Sequence, residues 1–417
     1  MSEFSRRDFL TRTLAVGCSA AASPLVTPVA IASDPGNVLG NNRLVVIILR
    51  GGMDGLGVVQ PWGDPDFAAL RGQGTRPGDP RGPIALTDYY AVHQALEPLM
   101  PLWQAGELGF VNAVSTPYRN RRSHFDGQDL LEAGVTEGTA IRDGWLNRML
   151  QTVPGLHAET AYTIGASGML LTKGAARVSE WSPQSVLAMT PQSRRLMEEV
   201  MHDDPLFRDV LTRAFDLSES SGGMAMMQSD RTEEMLEGMA AVRQGAQLAK
   251  DNAGAEHVAR FAARRLKGDA RIAAFSVNGW DTHARQDAAL RGPLSELAQM
   301  ILTLMSELGP VWGQTGVIAM TEFGRTARLN GTDGTDHGTG GTMVLAGGAL
   351  RGGQVHGRWP GLAEADLYDR RDLMPTSDVR AQAAWVMRGL FGLSRDVLEG
   401  TVFPGLDLGS DPGLIRV

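Results

Sequence analysis

Several polar clusters in the sequence carry residue types that bind metals and anions. Asp281 and His283 stand two positions apart, and in an extended segment such residues face the same way and can share one target. Glu322 and Arg325 offer a carboxylate and a guanidinium three positions apart. His337 stands among glycines, where an imidazole has little to pack against. A site built from these residues would hold a cation or position an anionic substrate.

A serine with basic neighbours stands where a helix is expected to begin. Ser123 is followed three positions later by Asp126, a pattern similar to a capping box, which requires only that the serine caps the helix. The same position places its hydroxyl where the helix dipole stabilises an alkoxide and a bound anion. Arginines beside it, Arg122 among them, suit a phosphate or sulfate group. Ser123 is therefore a predicted cap and a candidate nucleophile, and the two roles are compatible.

Short apolar runs rich in β-branched residues alternate with segments of helical period. Buried strands are predicted at residues 44–49, 108–114, 272–277, 316–320 and 342–346. Helices are predicted from about Ser123, at several places between residues 191 and 266, and at residues 293–308 and 377–390. The alternation predicts an α/β fold, with a mostly parallel sheet sandwiched between helices. Asp54 follows the first strand, at the edge where open α/β sheets bind ligands, and the other polar clusters also stand at strand ends.

The length of the chain limits the number of domains, and its net charge disfavours some classes of binding partner. The chain has 417 residues and a formal net charge of −8, which does not favour nucleic acid or anionic lipid as a partner. Without an N-terminal signal about 385 residues remain, more than one core usually holds, so either two domains or one large domain with insertions is expected. We predict one α/β domain over residues 33–417, with a helical insertion at about residues 190–268.

The N-terminus has the pattern of a twin-arginine export signal. Arg6 and Arg7 precede a weakly apolar stretch, residues 14–32, which ends in the small-x-small form that signal peptidase cleaves. Two prolines interrupt this stretch, which is too short to span a bilayer, so we expect no stable membrane anchor. The single cysteine, Cys18, would leave with residues 1–32, so that His, Asp and Glu must hold any metal. We expect the twin-arginine translocase as a partner and a periplasmic or secreted location.

Taken together, five motifs resemble a large family of exported bacterial proteins of unknown function, domain-of-unknown-function family 1501. With the export signal they extend over nearly the whole chain: Arg50–Leu56, Arg122–Asp126, Gly279–His283, Thr321–Arg325 and Asp336–Gly338. That family is similar to the alkaline phosphatase and sulfatase superfamily, whose members hold one or two divalent metals at strand ends and attack with a Ser, Thr or formylglycine at a helix start. The resemblance implies an alkaline-phosphatase-like fold and a small anionic ester as substrate.

The resemblance also implies roles for individual residues. It places the metal ligands at Asp54, Asp281, His283, Glu322 and His337. Ser123 takes the nucleophile position, and Gly134 closes the helix that follows it. The other expected catalytic residues are Arg122, His124 and Arg325. The arginines would meet the oxygen charge that develops in the transition state.

Two departures from the superfamily pattern leave the number of metals and the activity open. The superfamily usually spaces its Asp and His pair more widely than Asp281 and His283, and it commonly has a His where this chain has Phe323. One metal position is then short of a ligand, so a mononuclear or metal-free site remains possible. A bound ion would be Zn²⁺ or Mn²⁺, or Ca²⁺ if carboxylates dominate. The two candidate functions are metal-dependent hydrolysis of phosphate or sulfate esters and non-catalytic binding or scaffolding, which Phe323 favours.

Overall fold

A computed structural model describes residues 39–72, 76–119, 122–153, 156, 160–164, 169–181 and 252–416. The predicted signal at residues 1–32 lies outside the described residues, and so does most of the helical insertion predicted at about residues 190–268. Over the described ranges, no helix combines the length and the apolar character that crossing a bilayer requires.

Two β-sheets form in the described chain, and all five predicted strands belong to the larger one. The strands are β1 (Arg43–Leu49), β2 (Val59–Gln60), β3 (Ile84–Ala85), β4 (Ala91–Val92), β5 (Leu108–Ser115), β6 (Ala161–Ile164), β7 (Ser179–Trp181), β8 (Ile272–Val277), β9 (Thr315–Met320), β10 (Gly341–Ala346), β11 (Val355–His356) and β12 (Ser377–Asp378). Nine of them form the central sheet in the order β11-β5-β10-β9-β1-β8-β6-β7, with β12 paired to β5, and the order of the small sheet is β2-β4-β3. The predicted strand positions are therefore confirmed.

The central sheet is mostly parallel, as predicted, with one reversed strand. β1 runs parallel to β8 and β9, and β6 runs parallel to β7 and β8. β10 lies antiparallel to both β5 and β9. The start of β10 therefore lies at the same edge of the sheet as the carboxyl ends of β1, β5, β8 and β9. Loops from five strands meet at this edge.

Helices cover both faces of the sheet. They are α1 (Gly55–Val58), α2 (Phe67–Arg71), α3 (Met100–Gln104), α4 (His124–Ala133), α5 (Trp145–Gln151), α6 (Asn252–Lys267), α7 (Gln286–Leu308), α8 (Val379–Phe391) and α9 (Arg395–Val397). Five short turns of 3₁₀ or π type complete the described helical structure: Gln94–Leu99, Leu170–Thr172, Gly309–Gln314, Glu364–Asp366 and Leu398–Val402. α7 begins before the predicted residue 293, because buried Leu290 extends the apolar face of the helix by one turn.

The alternation of side chains in β1 shows how the two layers are built. All seven residues of β1 are buried. Val45, Ile47 and Leu49 pack into a core with residues of α6 and α7, whereas the residues between them pack into a core with residues of α5 and α8. A strand that is apolar on both sides is stable only between two layers, since each buried Ile or Leu contributes about 1.5–3 kcal/mol. The predicted sandwich of a sheet between helices is confirmed.

Candidate metal centre

The loop edge of the sheet brings together polar residues that lie far apart in the sequence. His124 opens α4, the helix that follows β5. Asp281 and His283 come after β8, and Glu322 comes after β9. His337 precedes β10, and it reaches the same edge only because β10 runs in the opposite direction.

Three imidazoles converge on one carboxylate oxygen. Asp281 Oδ1 lies 3.3 Å from His124 Nε2, 2.8 Å from His283 Nε2 and 3.1 Å from His337 Nε2. The Nε2 atoms of His283 and His337 are 3.1 Å apart. Donor atoms of His124, Asp281 and His337 all lie within 4.8 Å of one another. We refer to His124, Asp281, His283 and His337 as the imidazole cluster.

Two of the rings are oriented by partners on their outer nitrogens. His124 Nδ1 lies 2.8 Å from Glu322 Oε1, and His337 Nδ1 lies 2.9 Å from the carbonyl oxygen of Arg122. A carbonyl and an ionised carboxylate only accept hydrogen bonds, so we assign the ring proton to Nδ1 in both histidines. In a neutral ring Nε2 then has a free lone pair. Both lone pairs face Asp281 Oδ1.

This arrangement fits a divalent cation. Lone pairs and a carboxylate oxygen at about 3 Å repel one another unless a cation or a proton lies between them. His124 Nε2 is buried and has no hydrogen-bond partner among the described residues. Three imidazole nitrogens and one carboxylate oxygen suit Zn²⁺ or another first-row ion, whereas Ca²⁺ takes oxygen ligands.

The charge states of Asp281 and His337 agree with this fit. Burial opposes ionisation of Asp281, but the hydrogen bond and the positive charge of Arg325 prevail and hold its pKa well below the usual value. Burial lowers the pKa of His337, which keeps that ring neutral near pH 7. The hydrogen bond to Glu322 raises the pKa of His124, so a cation at His124 Nε2 would have to compete with a proton. An ionised carboxylate and a neutral imidazole are the forms in which these side chains bind metals.

Glu322, expected as a metal ligand, lies behind His124 rather than among the cluster atoms. Its side chain is fully buried, and Oε1 accepts from Gly51 N at 2.9 Å and from Gln128 Nε2 at 3.2 Å as well as from His124. Oε2 accepts from the hydroxyl of Thr321 at 3.0 Å. A carboxylate that holds the outer nitrogen of a ligating histidine fixes the ring and increases its basicity.

We predict that Glu322→Gln weakens metal binding by about 10- to 100-fold, the usual cost of losing such an outer partner. The amide keeps the size of the side chain but removes the charge that orients the Nδ1 proton of His124. Competition with a chelator of known affinity measures the change. Glu132 is a matched control, because this buried glutamate accepts from Arg50 and Leu171 and has no contact with the cluster. Equal metal affinity in the Glu322→Gln and Glu132→Gln variants would contradict the assigned role.

Asp54, expected as the ligand after the first strand, also lies outside the cluster. It is 1% exposed, and its Oδ1 accepts from Arg71 Nη2 at 2.8 Å. Its Oδ2 accepts from Arg71 Nη1 and from Gln286 Nε2, the latter at 3.0 Å. Gln286 also donates to the hydroxyl of Thr282, beside Asp281. Asp54 is therefore part of a buried ion pair outside the cluster, and removing one partner of such a pair costs about 3–5 kcal/mol.

Arg325 is buried, and its guanidinium is engaged by the protein itself. Its Nε donates to the carbonyl oxygen of Gly52 at 2.6 Å, and its Nη2 donates to that of Trp280 at 3.0 Å. Nη2 also donates to Asp281 Oδ1 at 2.7 Å, while Nη1 donates to the carbonyl of Thr335. The side chain joins the loops after β1 and β8 and orients Asp281. This geometry supports a positioning role for Arg325, where the sequence led us to expect direct contact with the reacting group.

Two glycines allow these loops to approach one another. Gly51 has a φ of +124°, and a Cβ at this position would lie 2.5 Å from the backbone nitrogen of Asp281. A Cβ on Gly324 would lie 1.7 Å from the carbonyl oxygen of Gly340. Only a residue without a Cβ allows backbones to approach this closely, so these glycines join loop to loop.

Ser123 is the N-cap of α4, which confirms the predicted cap. Its hydroxyl accepts from the backbone nitrogen of Asp126 at 3.4 Å, and the helix ends at Gly134, whose φ is +64°. Its two neighbours in the chain both contact the cluster, since Arg122 accepts from His337 and His124 belongs to it. Arg122 has an exposed side chain and a φ of +58°, an uncommon conformation for an arginine.

Phe323 forms an apolar wall beside the cluster. Its ring centroid lies 5.0 Å from that of His124 and 5.1 Å from that of His337, and it stacks on Tyr118 at 6.1 Å. Tyr118 in turn accepts from the backbone nitrogen of Ser123 at 2.7 Å. Phe323 therefore packs against the rings of two cluster histidines.

Sequence reasoning missed three residues that support the site. Gln128 stands four positions after His124, and that helical spacing places both on one face of α4, a signal that could have identified it. Arg71 and Gln286 reach Asp54 across 17 and 232 positions of chain, so no local pattern predicts these contacts. His124, expected in catalysis, instead stands among the candidate ligands.

Comparisons with known proteins give a family and distant structural similarity. The model of a family described as "Protein of unknown function (DUF1501)" matches residues 93–402. No curated protein matches the sequence. The lipoteichoic acid synthase LtaP from Listeria monocytogenes is 10% identical with a TM-score of 0.37, over 89% of this chain and 79% of that one. Alkaline phosphatase from the Antarctic bacterium TAB5 is 10% identical with a TM-score of 0.33, over 74% and 91%. The C-terminal periplasmic domain of EcEptC from Escherichia coli, in complex with Zn, is 9% identical with a TM-score of 0.33, over 90% and 92%.

Proposed function

We infer that this chain, which belongs to the DUF1501 family of proteins of unknown function, is an exported metal-dependent hydrolase of phosphate or sulfate esters. The observation that carries the proposal is the convergence of three imidazole Nε2 atoms on Asp281 Oδ1. Ser123, the helix cap that precedes His124 in the chain, adds a candidate nucleophile. Metal ligands and a hydroxyl at a helix N-terminus are the parts that displacement at phosphorus or sulfur requires.

We propose His124, Asp281, His283 and His337 as the ligands of a single divalent ion, Zn²⁺ or Mn²⁺. Nitrogen donors outnumber the carboxylate, which disfavours the Ca²⁺ alternative. A divalent cation held here lowers the pKa of a nearby hydroxyl and neutralises oxygen charge.

The reaction we propose begins with Ser123. Its Oγ forms a bond to phosphorus or sulfur as the bond to the leaving oxygen breaks, and the proton lost from the hydroxyl ends on the leaving group through solvent. The N-terminus of α4 stabilises the negative oxygens through its backbone N–H groups. Arg122, whose side chain is exposed, binds the anionic group, and Arg325 keeps Asp281 oriented. Water then attacks the same centre, the bond from phosphorus or sulfur to Ser123 Oγ breaks, and a proton from the water restores the serine hydroxyl.

The export part of the proposal rests on the signal pattern at residues 1–32. The twin-arginine translocase carries proteins that are already folded. We propose that the chain folds and takes up its metal in the cytoplasm and acts in the periplasm or outside the cell.

The proposal is tested by elemental analysis of the purified protein, coupled to a screen of aryl phosphate and aryl sulfate esters. We expect about one first-row metal ion per chain and turnover that disappears with a chelator and returns with the metal. Stoichiometric metal without turnover of any ester would support the alternative, a non-catalytic exported binding protein. Protein that neither contains metal nor binds Zn²⁺ or Mn²⁺ on titration would overturn the proposed centre.

A further inference from the structure

We propose that a second site, separate from the imidazole cluster, binds an organic anion: a phosphate, sulfate or sulfonate group attached to an apolar body. The site is a cavity of about 770 Å³ beside α2 and the start of α7. This volume lies within the range of small-molecule sites. No side chain of the imidazole cluster lines it. The proposal does not depend on the metal centre.

Three arginines supply the charge that an anion requires. Arg76, Arg81 and Arg285 line the cavity. Arg76 and Arg81 belong to one segment, and Arg285 lies about 200 positions later in the sequence. No ion pair or side-chain hydrogen bond joins any of these guanidinium groups to the rest of the described chain. Arg71 lines the same cavity but is bound to Asp54. Guanidinium groups without a protein partner bind phosphate and sulfate oxygens through paired N–H donors.

Three carboxylates also line the cavity, and Asp287 is the one that pairs with an arginine. Asp64 accepts from a tyrosine hydroxyl at 3.0 Å and from an indole N–H at 2.9 Å. Asp287 pairs with Arg291 at 2.8 Å. Asp333 is the remaining acidic residue of the described lining. Because these donors are neutral, Asp64 keeps its charge, and the three unpaired arginines face two carboxylates without a basic partner, Asp64 and Asp333. The described lining therefore keeps a small net positive charge, which favours an anionic ligand.

Apolar side chains in the same cavity specify the rest of the ligand. Trp62 lines it and is 39% exposed, and in the described chain Phe125 is the other large apolar side chain that is exposed. Phe67, Leu56 and Leu290 also contribute to the lining. A tryptophan that is exposed at the edge of a cavity offers a flat surface to a ring or an acyl group. Charge and surface together favour an organic anion over free inorganic phosphate.

Backbone conformation gives independent support. Arg81 has a φ of +63° and Arg285 has a φ of +46°. Left-handed backbone is uncommon for residues other than glycine and is concentrated at ligand sites. Two of the three arginines therefore have backbone conformations that local sequence preference disfavours.

The test is calorimetric titration of the purified, metal-containing protein with naphthalene-2-sulfonate, which carries a charge and a ring and has no hydrolysable ester. We expect measurable binding, weakened about tenfold by Arg81→Ala and by Arg285→Ala, since each removes a charge-assisted contact. Glycine tolerates a positive φ, so Arg81→Gly and Arg285→Gly should show the same loss with the fold intact. Arg370→Ala is the control, because this exposed arginine lies outside the cavity and should leave binding unchanged.

Parallel titrations with 2-naphthol and with inorganic sulfate separate the two parts of the ligand. We expect both to bind more weakly than the sulfonate. The proposal would be overturned if 2-naphthol bound as tightly as the sulfonate. It would also be overturned if sulfonate affinity were unchanged in all four variants of Arg81 and Arg285. Elemental analysis of these variants should show unchanged metal. Loss of sulfonate binding in Asp281→Asn alone would place the anion at the imidazole cluster, which refutes a second site.

Discussion

Asp281→Asn is expected to strip the metal from the purified protein and to lower its metal affinity by more than the ~10- to 100-fold that losing an outer partner costs. Asp281 Oδ1 is the atom that three imidazole nitrogens approach within 3.3 Å, so it is the shared point of the cluster. Asparagine keeps the size of the side chain and an oxygen that accepts from Arg325, but it has no charge. Elemental analysis and chelator competition measure the effect.

Two matched variants isolate the role of this carboxylate. Asp336 lies 3.8 Å from His283 Nδ1 and is 57% exposed, so Asp336→Asn changes a carboxylate beside the cluster and should retain the metal. Asp54→Asn should lower the free energy of unfolding, because it weakens a buried pair with Arg71, while the folded protein keeps its metal. Metal content that falls in Asp54→Asn and not in Asp281→Asn would reverse the assignment.

The sheet could be predicted from the sequence because its strands are apolar on both faces. β1 consists of seven buried residues without interruption, and only a strand covered on both sides requires this composition. The antiparallel direction of β10 could not be predicted, since a buried strand has the same apolar composition in either direction. That reversal is nevertheless what carries His337 to the edge shared by Asp281 and Glu322.

The sequence predicts that these polar residues meet at one edge of the sheet, but it does not predict the role of each residue. Polar residues at the carboxyl ends of parallel strands must meet at one edge, and His124, Asp281 and Glu322, which follow β5, β8 and β9, do. Whether a carboxylate faces a metal or supports a histidine depends on its contacts, which come from remote parts of the chain. Glu322 accepts from a backbone nitrogen 271 positions away, and Asp54 is held by an arginine that no motif contains.

Ser123→Ala is expected to reduce ester turnover by about 10³-fold or more, as removal of a nucleophile does, and to leave the metal in place. The hydroxyl caps α4 through a hydrogen bond of 3.4 Å, and loss of a cap costs only about 1 kcal/mol, so the variant should fold. The serine side chain is not among the groups that orient the rings of His124 and His337. Metal affinity should therefore stay within about twofold of that of the unchanged protein. Turnover and elemental analysis on the same preparation measure both quantities.

A second serine cap separates catalysis from helix stability. Ser394 caps α9, where its hydroxyl accepts from Val397 N at 3.2 Å. Ser394→Ala should lose a comparable amount of stability in urea titration and keep full turnover. If both serine variants lose the same small fraction of turnover, capping is the whole role of Ser123 and the nucleophile must be sought elsewhere. A large loss confined to Ser123→Ala, with metal retained, requires that the hydroxyl itself takes part in the reaction, because stability, metal content and helix capping are then all accounted for.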